Sequence, residues 1–118
     1  METYKEFRFE AAHFLPKTCD GHKCKRMHGH SYKVIIHIMG LVDQETGFVI
    51  DFGDIKKIFT PILEELDHSV LNELSGLENP TAENLAIWIW KRLLPSIPGL
   101  SKIKIEETNS SGCIYDGN

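Results

Sequence analysis

His28-Gly29-His30 is the stretch of this chain best suited to chemistry. In an extended strand, residues two apart project to the same side, so both imidazoles reach toward one point and Gly29 leaves room beside them. Upstream, Tyr4 to Ala12 alternates, with Phe7, Phe9 and Ala11 on one face and Glu6, Arg8 and Glu10 on the other. That pattern predicts a half-buried strand, and His13 continues its apolar face. If this strand and the one that follows the 14–27 loop are antiparallel neighbours, His13 falls beside His28 and His30. Three neutral imidazoles and one open position form a common catalytic zinc arrangement. The plain alternative is that a lone His-x-His is incidental. A rival metal reading takes Cys19, Cys24, His28 and His30 as a closed structural zinc site. Its cysteine spacing fits a zinc finger, but its histidine spacing is tighter than the usual one. The two readings differ in kind, since the first describes an enzyme and the second a structural module.

Other groups are placed for proton chemistry. Cys24 lies four residues before His28, flanked by Lys23, Lys25 and Arg26. Positive neighbours and a nearby zinc would favour the thiolate, a base or nucleophile. With Lys17 the same cluster forms a basic patch suited to an anionic substrate such as a phosphate ester, or simply a solvated loop. Asp67-His68 pairs a carboxylate with an imidazole it could orient, although adjacency in sequence does not establish side-chain contact. Of Glu106 and Glu107, Glu107 shares the parity of Ile103 and Ile105 and is the inward-facing candidate. A buried carboxylate needs a partner, and adjacent N–H donors such as those of a 2-amino-4-oxo pyrimidine ring would supply one. His37 reads as structural or surface, and His22 as solvated.

The elements that must carry these groups are legible from periodicity. Ser31 to Met39 predicts a second strand with apolar residues on both faces, hence a central one. Asp43 to Thr46 is a polar turn and Phe48 to Phe52 an extended segment. Asp51 is a candidate N-cap, with Ile50 and Ile55 as a hydrophobic staple. Ile55, Ile58, Phe59, Ile62, Leu63 and Leu66 fall at helical spacing, with Pro61 predicting a kink or a late start. Asp67 to Pro80 reads as a connecting loop. Thr81 caps a second helix bearing Leu85, Trp88, Ile89 and Leu93, with Ile87, Trp90 and Leu94 adding apolar surface elsewhere. Ile103 and Ile105 mark a third strand, and Cys113 to Tyr115 opens a fourth after an Asn109 to Gly112 turn. The expectation is an α+β fold in the order β-β-α-α-β-β, with a four-stranded antiparallel sheet and two helices on one face.

Composition narrows the function class. A chain of 118 residues, 42% hydrophobic and 25% charged, fits one domain spanning 1–118. So small a domain buries only part of its apolar surface alone, so association would be unsurprising. A formal net charge of −4 without a long basic run disfavours nucleic-acid binding. No apolar stretch approaches the ~20 residues of a membrane span. The first ten residues have no signal-peptide core, which predicts a cytoplasmic chain. An odd cysteine count, Cys19, Cys24 and Cys113, points to free thiols or metal ligands rather than disulfides.

Taken together, Phe9-Glu10-Ala11-Ala12-His13, Gly21-His22-Lys23-Cys24, His28-Gly29-His30-Ser31, Asp51-Phe52, Leu66-Asp67-His68, Glu78-Asn79-Pro80-Thr81, Glu106-Glu107-Thr108 and Gly112-Cys113-Ile114-Tyr115 form a specific set. On these the chain resembles the 6-pyruvoyl-tetrahydropterin synthase family from Phe7 to Gly117. The three residues between Cys24 and His28 resemble the spacing of its carboxy-forming, queuosine-pathway branch. Pyruvoyl-forming relatives of animal type have a longer gap. The resemblance implies the tunnelling fold, with trimers joined sheet to sheet around a barrel, two trimers stacked into a homohexamer, and sites at subunit interfaces. It implies a lyase that holds one zinc per subunit on His13, His28 and His30 and acts on a pterin triphosphate. Cys24 would be the catalytic base, Asp67 and His68 the proton relay, and Glu107 the pterin anchor. Cys19 has no place in the motif.

Overall fold

Alternation of large apolar and charged residues makes the first strand, β1 (Glu2–His13), one-sided: Phe7, Phe9, Ala11 and His13 are buried while Glu6, Arg8 and Glu10 face solvent. The computed structural model describes residues 1–118. β2 (His28–Met39) pairs antiparallel with β1 along its whole length, setting His13 opposite His28 and Ala11 opposite His30. Both strands run longer than periodicity predicts, and the extension of β2 takes in His28 and His30. A polar loop joins them, containing a short 3-10 turn, Lys23–Lys25.

Helix α1 (Phe52–Leu66) begins where predicted, with the Asp51 carboxylate accepting from Gly53 N at 2.8 Å. Ile55, Phe59, Ile62 and Leu66 form its buried stripe. Pro61 does not interrupt it. Both Pro61 and Lys57 are exposed, so water can serve the carbonyl that proline leaves without an i+4 donor. Helix α2 (Ala82–Leu93) starts at Thr81, whose hydroxyl accepts from Asn84 N at 3.1 Å. Its Trp90 meets Tyr115 edge-on, while Leu94 is exposed.

The segment expected to be a plain connection, 67–80, contains β3 (Ser69–Val70) and a 3-10 turn, Leu71–Glu73. β3 pairs in parallel with Ala11 and Ala12 of β1. The chain closes with β4 (Leu100–Thr108) and β5 (Ser111–Tyr115). The sheet is therefore five-stranded and mixed, in the order β3-β1-β2-β4-β5, rather than four-stranded and antiparallel. β2 is central, as its two-faced pattern predicts. One face of the sheet and both helices enclose 23 buried apolar residues. The other face carries a charge ladder in which Lys33 lies 3.6 Å from Glu6 and 3.3 Å from Glu106. No helix is long and apolar enough to cross a membrane.

One irregularity bears on the site. The β4–β5 register slips between Glu106 and Thr108, leaving Glu107 without a partner on β5. A bulge of this kind re-aims a side chain. Gly112, opposite Glu106, permits it, because a Cβ there would collide with the Ile105 carbonyl oxygen.

Candidate metal centre

Pairing of β1 with β2 brings the three histidines together at one end of the apolar face. The rings of His13 and His28 stand 4.6 Å apart, those of His13 and His30 5.1 Å, and those of His28 and His30 4.9 Å. Glu107 joins them from the β4 bulge, with Oε1 2.9 Å from His30 Nε2 and 3.7 Å from His13 Nε2. One donor atom from each of the four lies within 4.8 Å of all the others. Enclosing His13 and the Nε2 atoms of His28 and His30 side by side is unfavourable unless something satisfies them.

Backbone carbonyls set two of the rings. His13 Nδ1 donates to the Pro80 carbonyl at 2.8 Å and His28 Nδ1 to the Arg26 carbonyl at 2.7 Å. A proton on Nδ1 leaves the Nε2 lone pair free, the tautomer a metal ligand needs. His28 Nε2 and His30 Nε2 are buried without a hydrogen-bond partner. The 2.9 Å approach of Glu107 to His30 therefore lacks hydrogen-bond alignment. Burial also holds His13 and His30 below the ordinary histidine pKa; for His13 this outweighs the Pro80 carbonyl and the Glu107 charge. Clustered imidazoles, two of them with orphaned nitrogens and two held through Nδ1, fit a borderline cation such as Zn²⁺.

Hydrogen bonds and one ion pair fix the loops that surround these histidines. Asn72 accepts from Phe14 N at 3.0 Å and donates to Phe14 O at 2.8 Å, clamping the residue after His13. The Cys24 carbonyl accepts from Leu15 N at 2.8 Å. The ring of His22, expected to be merely solvated, is exposed but accepts from Cys24 N at 3.0 Å and so caps the turn that presents the thiol. Lys25 is tied to Asp20 at 2.7 Å, which removes it from the free cations of that loop. The Tyr32 hydroxyl lies 3.2 Å from His13 Nδ1. Burial and the Glu107 charge raise the pKa of this phenol, so it stays neutral.

His13, His28, His30 and Glu107 converge; Cys24, Asp67 and His68 stand outside that group of donors. Cys19 and Cys24 are free thiols that do not join His28 and His30, so the closed Cys2His2 arrangement is absent. Glu107, expected as a pterin anchor, stands among the imidazoles. Asp67 and His68 do meet, with Oδ1 3.0 Å from Nδ1. The Glu10 N–H, 2.9 Å from the same Oδ1, holds the Asp67 carboxyl below its ordinary pKa, and His68 adds to the effect. His68 adopts φ = 58°, a left-handed conformation that costs a non-glycine residue about 1–3 kcal/mol and tends to occur at functional sites. It borders an open cleft of ≈ 490 Å³ shared with Glu10, Gly29, His30 and Ser31.

Sequence reasoning missed Tyr32, Asn72 and the carbonyls of Arg26 and Pro80. Only the first two have side chains through which a sequence signal could have come.

A mixed sheet carrying two helices on one face, with three histidines gathered at the strand ends, is the tunnelling-fold architecture that the sequence resemblance implies. The family model for 6-pyruvoyl tetrahydropterin synthase matches residues 2–118, and the chain belongs to that family. The 6-carboxy-5,6,7,8-tetrahydropterin synthase of Synechocystis sp. is 42% identical, over 95% of this chain and 90% of its own length. The dihydroneopterin monophosphate aldolase of Pyrococcus furiosus is 34% identical, over 81% of this chain and 77% of its own. The structure of Caenorhabditis elegans 6-pyruvoyl tetrahydropterin synthase superposes with a TM-score of 0.92 at 29% identity, covering 100% of this chain and 96% of that one.

Proposed function

We propose that this chain is a zinc-dependent 6-carboxy-5,6,7,8-tetrahydropterin synthase of queuosine biosynthesis. It converts 7,8-dihydroneopterin triphosphate and water to 6-carboxytetrahydropterin, acetaldehyde and triphosphate. The observation that carries the reading is the pair of buried, unpartnered nitrogens, His28 Nε2 and His30 Nε2, converging with His13 and Glu107. His13, His28 and His30 would hold the zinc, which when bound supplies Lewis-acid polarisation of the substrate's side-chain hydroxyls.

The remaining roles belong to side chains of this chain. Glu107 accepts the adjacent N–H donors of the pterin ring. Cys24 takes a proton from the substrate side chain, and the Asp67–His68 pair moves protons on the other face. Lys17, Lys23 and Arg26 are the exposed cations of the Cys24 loop left for the triphosphate. Because Cys24 and Asp67–His68 lie outside the donor cluster, the reading places the complete site at subunit boundaries of a cytoplasmic homohexamer of 1–118 domains.

The spacing between Cys24 and His28 and the identity to the Synechocystis enzyme favour the carboxy-forming outcome over the pyruvoyl-forming one. Product analysis tests it. Zinc-loaded protein given 7,8-dihydroneopterin triphosphate should release acetaldehyde and leave 6-carboxytetrahydropterin. Retention of the three-carbon side chain in the pterin product would assign the pyruvoyl reaction instead.

A further inference from the structure

Glu107 stands at a junction that a simple substrate anchor does not explain. Its Oε1 contacts two imidazole nitrogens, at 2.9 and 3.7 Å. A tetrahedral ion with bonds of about 2.0–2.1 Å sets its donor atoms roughly 3.3 Å apart, so both separations suit a fourth ligand. The approach to His30 is not a hydrogen bond, because His30 Nε2 has no such partner. Glu107 also lines a second cleft, of ≈ 270 Å³, with Leu15, Thr81, Ala82 and Gly112. Its side chain is 24% exposed, whereas that of His13 is completely buried.

The backbone at Glu107 suits movement between two partners. The β4–β5 ladder skips this residue, and its pairing with β2 ends at Glu106. The contacts to both imidazoles are made by Oε1, but gripping the two adjacent N–H donors of a 2-amino-4-oxo pteridine requires both oxygens in a bidentate pair.

We propose that Glu107 is an exchangeable fourth ligand, closing the three-histidine cluster in the free protein and leaving it when a 2-amino-4-oxo pteridine claims its carboxylate. This rests on the zinc and pterin reading above and adds to it a recognition-gated opening. The metal's last position becomes available only once the correct ring is bound, so a zinc site reachable from solvent is kept from unproductive ligands.

Cobalt-substituted full-length protein tests the exchange without turnover. The probe is 6-methylpterin, which has the ring donors but no side-chain hydroxyls to bind metal. In the wild-type protein its binding, followed independently by pterin fluorescence, should shift the cobalt visible bands with the same saturation curve. Glu107→Gln should show altered bands before any pterin is added, no further change on adding it, and zinc affinity lowered at least about tenfold, the lower end of what ligand-supporting contacts cost. Binding of 6-methylpterin to wild-type protein with unchanged bands would overturn the exchange while leaving the synthase reading intact. Unaltered bands and zinc affinity in Glu107→Gln would do the same. A wild-type chain that takes up no cobalt would overturn the zinc reading and the exchange together.

Discussion

The two ends of the β1–β2 ribbon each bring histidine and glutamate together, yet they are built to different ends. At the far end, His37 lies 3.7 Å from Glu2, whose carboxylate also accepts from Ser101 at 2.8 Å and Lys102 at 3.4 Å. The Ser101 hydrogen bond leads in holding the Glu2 carboxyl below its ordinary pKa, and the cluster lies on the solvent face. At the near end, His13, His28 and His30 sit on the core face, with two nitrogens that nothing in the chain satisfies. A His–Glu contact therefore says little by itself. Buried ring nitrogens left without a partner, beside rings that carbonyls hold through Nδ1, are what point to a ligand.

Perturbing the two ends separates them. The largest effect is expected at Cys24: Cys24→Ala should lower turnover by roughly 10²–10⁴, the usual contribution of a general base, with zinc content unchanged. Cys19→Ala and His37→Ala should leave steady-state rates close to wild type. Full turnover in Cys24→Ala would remove the base from the account.

Zinc itself should distinguish the ends by stability. A ligand that binds only the folded state adds about 2.7 kcal/mol at a hundredfold excess over its Kd. Chelation should therefore lower the melting temperature of wild-type and His37→Ala proteins alike, and leave His28→Ala unmoved.

Asn72→Ala tests the support behind His13. It removes partners from both polar groups of Phe14, at a cost of about 1–3 kcal/mol, and should weaken zinc binding in calorimetric titrations. The smallest effect concerns Asp67. Its folded pKa is lowered, so the unfolded chain binds the proton more readily. The stabilisation is complete above the ordinary Asp value of 3.8 and is lost as pH falls through the folded value. Asp67→Asn should flatten the acid limb of a urea-denaturation pH profile below about pH 4.

Much of this site was legible beforehand because strand parity is a two-fold code. His13, His28 and His30 share a face once β1 and β2 are antiparallel, and the register aligns His13 with His28. Parity also turned Glu107 inward, but it could not show the bulge that sets this residue among the imidazoles. β3 has two residues, too few to carry a period. The carbonyls of Arg26 and Pro80 belong to the backbone, where residue type carries no signal. Pro61 suggested a kink or a late start, but α1 already begins at Phe52, because the proline is exposed and the buried stripe of α1 holds the helix together. That Cys24 and Asp67–His68 lie apart from the cluster is equally unreadable from spacing, since it depends on how two loops leave the sheet.

Bound zinc per chain, measured after equilibration with excess zinc and gel filtration, tests the asymmetry between the two ends most directly. About one ion per chain is expected in the wild-type and His37→Ala proteins, as for a three-histidine site, and almost none in His28→Ala. Equal losses in both variants, or zinc retained in His28→Ala, would contradict the assignment of the metal to the near end.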